Sequence, residues 1–271
     1  MIRGMVLASL IVLATGAAGA ASSQKIQEAG GCPDCRLVLE SLRDLRIENA
    51  KFKGANLREA DLKGAVLPGA DFAGASLQRT EMEKTDLTGA SFNKASMRDV
   101  DLEKAILRGA SFRDADLRDA DLETVDASEA SFENADLRGI LLRRAMIVGA
   151  DFSGTQLGNA DLERVDARGA NFSDATMELV DLDRADLRGA DLSGAHMEAA
   201  RLSSANLTGA NLSGAMLEGA LLRRTNLSGA DLSDVRGLSE DGLARACGDA
   251  ATKLPKGYTI RPCTADDTAP D

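Results

Sequence analysis

Large apolar residues recur at every fifth position along most of this chain. From Leu37 to Leu232 the phase never slips. Of forty consecutive centres, Leu, Phe, Met or Ile fills all but two, and Ala127 and Ala167 are the exceptions. Two residues before nearly every centre stands a small residue, usually Ala, as at Ala110, Ala115 and Ala120, and the residue just before the centre is usually Asp, Asn or Ser. Gly closes sixteen units, Gly109, Gly139, Gly149 and Gly189 among them. A helix repeats every ~3.6 residues and a strand every ~2, so a step of five drifts off both. A chain that turns a corner every five residues fits the pattern. Two inward side chains per unit fill its core, and Gly supplies positive φ at corners.

The aromatic positions count the corners. Phe52, Phe72, Phe92, Phe112, Phe132, Phe152 and Phe172 are all the phenylalanines of the chain, and they share one phase modulo twenty. Four units therefore make a coil, and residues twenty apart stack at ~4.8 Å, the spacing of hydrogen-bonded strands. Forty units predict about ten coils and a rod core of roughly 48 Å. The two exceptions support inward facing. Val125 and Val165 occupy the small-residue slots beside Ala127 and Ala167, so a neighbour grows where the centre shrinks. In close-packed interiors an uncompensated void or overfill costs ~1–5 kcal/mol.

Units such as "ADLRGADLSGA" (185–195) and "ANLTGANLSGA" (205–215) resemble the pentapeptide-repeat family, whose pattern is written A-(D/N)-L-x-x. The resemblance spans about 200 residues. It implies an all-β solenoid, a right-handed quadrilateral β-helix. The tail "LSEDGLARACGDAATKLPKGY" is similar to the short helical end-segment of many members. Ser239 reads as an N-cap there, with Leu238 and Leu243 as a hydrophobic staple and Gly248 as the helix stop.

The expected organisation is a signal peptide at 1–20, an N-terminal cap at 21–36, repeats at 37–235, and a C-terminal cap helix and tail at 236–271. Arg3, the apolar run "VLASLIVLA" and the small residues Ala18-Gly19-Ala20 carry the export reading, to a bacterial periplasm or beyond. The run is shorter than the ~20 residues that span a bilayer, so no membrane span is expected in the mature chain. Glu40 falls in an inward slot, which suggests an irregular first coil.

Four cysteines in an exported chain suggest disulfides. Cys32 and Cys35 precede the first expected coil, and Cys247 and Cys263 follow the last. A disulfide needs Cα atoms within ~7 Å, so only Cys32–Cys35 and Cys247–Cys263 suit a monomer. The same distance rules out one zinc site using all four. Cys32-Pro33-Asp34-Cys35 lacks the βαβ surroundings of a redox motif.

Catalytic chemistry finds no foothold. The single histidine, His196, lies in an outward slot, and no nucleophile–base pair, phosphate loop or metal-ligand spacing is legible. No enzyme, cofactor or metal is expected. The net charge of −11 argues against nucleic acid as a partner. Two surface features remain. Asp61, Glu81, Asp101, Asp121, Asp161 and Asp181 form an outward acidic column, with Asp86, Asp126, Asp166 and Asp186 in the next. Either is repeat consensus, or it imitates DNA, as is held for family members that protect gyrase, a type II topoisomerase. Outward apolar residues at Ile106, Leu141, Met146 and Val148 break the pattern and mark an expected partner-binding patch, with Met216 and Leu221 a smaller instance. The leading expectation is a non-enzymatic exported scaffold binding another macromolecule, a protein in the first instance. The pattern is also compatible with a homodimer. A DNA-mimicking gyrase inhibitor is the alternative.

Overall fold

A corner every five residues requires that each unit find partners for five backbone N–H groups, and the unit Asp71–Ala75 illustrates how it does so. Asp71 donates to Ala50 at 2.8 Å and Phe72 to Ser91 at 2.7 Å, on the coils to either side. Gly74 donates to Asn93, and Ala75 donates back to Phe72 within the turn. The fifth donor, Ala73, finds the Asp71 carboxylate at 2.9 Å. Lys63, Glu103 and Glu123 donate likewise to Asp61, Asp101 and Asp121. The recurrent outward Asp is thus a turn-former that accepts the one N–H the ladder omits.

The computed structural model describes residues 19–264, and there parallel bridges join residues twenty apart. They run in steps of five from Gly31↔Lys51 to Met216↔Arg236. The result is a four-sided solenoid. The first wall carries the phenylalanine centres behind outward residues such as Ser111 and Ser131. The second carries Asp116, Asp136 and Gln156 outward, the third Asp101, Asp121 and Leu141, and the fourth Ile106, Asp126 and Met146. The seven phenylalanines are fully buried. Their rings stack at 4.7–5.1 Å with planes within 14°. Val125, Ala127, Val165 and Ala167 are all buried, as the volume argument requires.

Corners sit at positive φ whether or not Gly occupies them. Gly139 has φ 72°, but Arg144 at 56° and Leu179 at 58° adopt the same conformation. Left-handed backbone costs a non-Gly residue ~1–2 kcal/mol. The ladder holds it there nonetheless, each corner N–H donating to the next coil, as Leu179 does to Glu198 at 3.0 Å.

The ends depart from expectation. The ladder begins at Gly31, not at Leu37, with Cys32 in a centre slot and Cys35 in a small-residue slot, both packed against the core. Cysteine is small and apolar enough to take either slot. Helix α1 (Gly19–Ala29) precedes it and buries Ile26 against the base. The expected signal segment lies almost wholly outside the described residues. The first coil keeps its register despite Glu40, which accepts from Asp61 N–H at 2.9 Å.

At the other end, helix α2 (Glu240–Ala244) starts at Ser239, whose hydroxyl accepts from Gly242 N–H, and Leu243 is buried. Gly248 does not stop this helix, which ends four residues earlier; it bridges to Pro262 instead. Past α2 the chain rejoins the ladder through Asn226↔Cys247 and Asp231↔Lys253, and the Tyr258 hydroxyl donates to the Leu238 carbonyl at 2.8 Å. Leu254, Tyr258 and Ile260 pack against the top of the core, covering an otherwise open coil. Disulfides join Cys32 to Cys35 and Cys247 to Cys263, with Cα separations of 5.6 and 4.7 Å.

Candidate interaction surface

The unbroken run of units leaves no inserted loop to shape a pocket, so chemistry and recognition fall to the walls. On the fourth wall Ile106 and Met146 stand in one outward column, 41% and 44% exposed. Asp126 lies between them and is ion-paired with Arg108. Leu141 is half-buried on the third wall between Asp121 and Asp161. Val148 is half-buried two residues beyond Met146. The residues share a neighbourhood, but turn-forming carboxylates divide them. Of the smaller instance, Leu221 is exposed on the third wall and Met216 half-buried on the second.

The third wall carries the acidic column, and its charge is largely answered. Arg43 pairs with Asp61, Lys63 with Glu81 and Glu83, Arg143 with Asp161, and Arg201 with Asp181. The adjoining corner column is basic over most of its length, with Lys84, Lys104, Arg144, Arg164 and Arg184 at positive φ. Burial pushes the Asp101 carboxyl up, helped by the charges of Glu83 and Asp121. Burial does the same at Asp181, with Asp183 and Asp161 adding to it.

The second wall holds features the five-residue pattern conceals. In the slot after the centre, Arg98, Arg118 and Arg138 follow one another, then Gly158, then Glu178, Glu198 and Glu218. Corner N–H bonds align them: Asp119 to Arg138, Gly139 to Gly158, Asn159 to Glu178 and Leu179 to Glu198, at 3.0–3.1 Å. Arg118 pairs with Asp116 at 2.6 Å and Arg138 with Asp136 at 2.6 Å. These guanidinium bonds hold both carboxyls below the usual range. His196, in the outward slot expected of it, lies with its Nδ1 4.0 Å from Glu198. Together with Glu178 they form a group whose ligand atoms all lie within 4.8 Å of one another. The coil spacing makes this cluster, since it brings residues twenty apart side by side. Leu179, 58% exposed at a corner, was missed because the pattern of outward slots ignores corners; a Leu where Gly, Asp or Asn is common was the available signal.

Family models for pentapeptide repeats match this chain in overlapping segments that together span residues 41–236. The chain belongs to the pentapeptide-repeat proteins. Membership makes the four-sided solenoid a right-handed quadrilateral β-helix, and proteins of this family are generally non-catalytic structural or interaction proteins. Similar solved structures include HetL, a pentapeptide repeat protein involved in heterocyst differentiation regulation from the cyanobacterium Nostoc sp. strain PCC 7120. It is 28% identical, the match covers 76% of this chain and 94% of HetL, and the TM-score is 0.40. A pentapeptide repeat protein of the Arabidopsis thaliana thylakoid lumen is 37% identical over 34% of this chain and 68% of its own, with a TM-score of 0.31. QnrB1, a plasmid-mediated fluoroquinolone resistance protein, is 22% identical over 68% and 89% of the two chains, with a TM-score of 0.35. Among curated proteins nothing matches.

Proposed function

We propose that this protein is a non-enzymatic, exported solenoid of about ten coils, capped by α2 and the tail, that binds another protein as an envelope scaffold. Export rests on the N-terminal sequence pattern, and the two disulfides suit an oxidising compartment. No helix among the described residues is long and apolar enough to cross a membrane. The reading is carried by the outward apolar side chains Ile106 and Met146 on walls otherwise dominated by turn-forming Asp, with Leu141 and Val148 at their margin. Replacing Leu141 and Met146 by Ser leaves the melting temperature nearly unchanged and lowers recovery of partners crosslinked in intact cells and identified by mass spectrometry. Undiminished recovery overturns the role of this patch. Fractionation tests export separately.

DNA mimicry is the weaker reading. The basic corner beside the acidic column breaks the single-sign field that a duplex presents, and the Asp residues are already explained as turn-formers. Gyrase supercoiling unaffected by the protein is the expected result.

A further inference from the structure

One column of the second wall, the slot after the centre, reads the same from either end once charge is reversed. Arg98, Arg118 and Arg138 lie three, two and one coils to one side of Gly158, and Glu218, Glu198 and Glu178 lie three, two and one coils to the other. We propose that a second copy of this chain docks antiparallel on this wall, its two-fold axis at Gly158. Each arginine then faces a glutamate of the other copy: Arg98 opposite Glu218, Arg118 opposite Glu198, Arg138 opposite Glu178. A two-fold interface must be self-complementary, residue against residue about its axis, and this column satisfies that condition at three successive levels.

Shape agrees with charge. The arginine half carries a shallow, open cleft lined by Arg98, Arg118, Asp119, Arg138, Gly139 and Asn159. The glutamate half carries the projecting Leu179. Reversal about Gly158 sets Leu179 against Gly139, in that cleft, and sets Asp116 against His196. The gap at Gly158 is not forced by crowding within one chain: a Cβ there would meet nothing closer than 3.9 Å. Ion pairing is also lopsided. The arginine half pairs internally, whereas on the acidic half Glu198 has beside it the imidazole of His196, 4.0 Å away, which carries charge only when protonated.

The strip is six coil steps long, ~29 Å, and one wall wide. It buries less than the ~800 Å² per partner of a standard interface. The dimer is therefore weak, and because its pairs lie at a wettable rim it dissociates in salt.

Sedimentation equilibrium of the full chain tests this. The wild type shifts from monomer toward dimer as concentration rises in low salt and returns to monomer at high ionic strength. The all-acidic variant R98E/R118E/R138E and the all-basic variant E178R/E198R/E218R each stay monomeric alone, and an equimolar mixture forms a heterodimer. The single pair R118E and E198R, checked for folding by circular dichroism, repeats the experiment with less disturbance: each alone associates at least tenfold more weakly, and the mixture recovers. A wild type monomeric throughout, variants that self-associate undiminished, or a mixture that fails to pair overturns the proposal. These results are independent of the partner recovery that tests the fourth-wall patch.

Discussion

The inner face of the first wall and the outer face of the second lie on one continuous ladder, yet they obey different rules. Inside, one side chain repeats: from Phe52 to Phe172 the same ring returns every coil, buried and stacked. Outside, the backbone repeats equally well while the side chains change sign, from Arg138 through Gly158 to Glu178. The difference is physical. Each inward site has fixed volume and no solvent, so shape is selected coil by coil. An outward site has room and water, so once the turn-forming Asp or Asn is in place the remaining slots are free to carry recognition.

The contrast is tested most strongly at Phe112. Phe112→Ala removes a ring from the middle of the stack and is expected to cost ~3–5 kcal/mol in denaturant unfolding. Solenoid coupling makes the loss spread to neighbouring coils. An intermediate effect is expected at Ala127. Ala127→Leu overfills a site already compensated by Val125 and costs ~1–3 kcal/mol, and adding Val125→Ala recovers much of it. No rescue would separate the two volumes. On the outer face, Asp116→Ala removes a surface pair with Arg118 and a turn acceptor, for ~1 kcal/mol or less. A cost equal to that of Phe112→Ala would erase the distinction between the faces.

The smallest effect is expected at the top of the rod and depends on pH. Lys253 and Ser233 hold the Asp231 carboxyl down at about 2. A depressed carboxyl contributes stability above its unfolded value, near 3.8, and loses it as pH falls through the folded one. The melting difference between wild type and Lys253→Met is therefore present at pH 7 and vanishes between about pH 4 and 2. Asp101 and Asp181 act oppositely. Their raised values mean the fold binds their protons more readily, so their contribution favours folding in acid and is lost as pH rises through the folded values.

Legibility followed the same divide. The five-residue step, the four-sided coil, the aromatic column and the inward facing of Val125 and Ala127 were all readable from spacing, because a corner geometry that recurs without interruption leaves a period in the chain. The ends were harder. The start of the ladder at Gly31 was hidden because Cys32 and Cys35 stand in apolar slots without resembling Leu and Ala. The bridge from Gly248 to Pro262 was hidden because a glycine that stops a helix and one that joins a ladder look alike in sequence.

What the amino-acid order determined by itself was the architecture, since every local rule about volume, turn and period is enforced by neighbours within five or twenty residues. Only the tertiary structure decided what the surfaces are. It divided the expected apolar patch with Asp126, set a basic corner beside the acidic column, and gathered Glu178, His196 and Glu198 on one wall. Such juxtapositions depend on which slots a coil places side by side and which neighbouring side chain reaches them, and no period in the sequence records that.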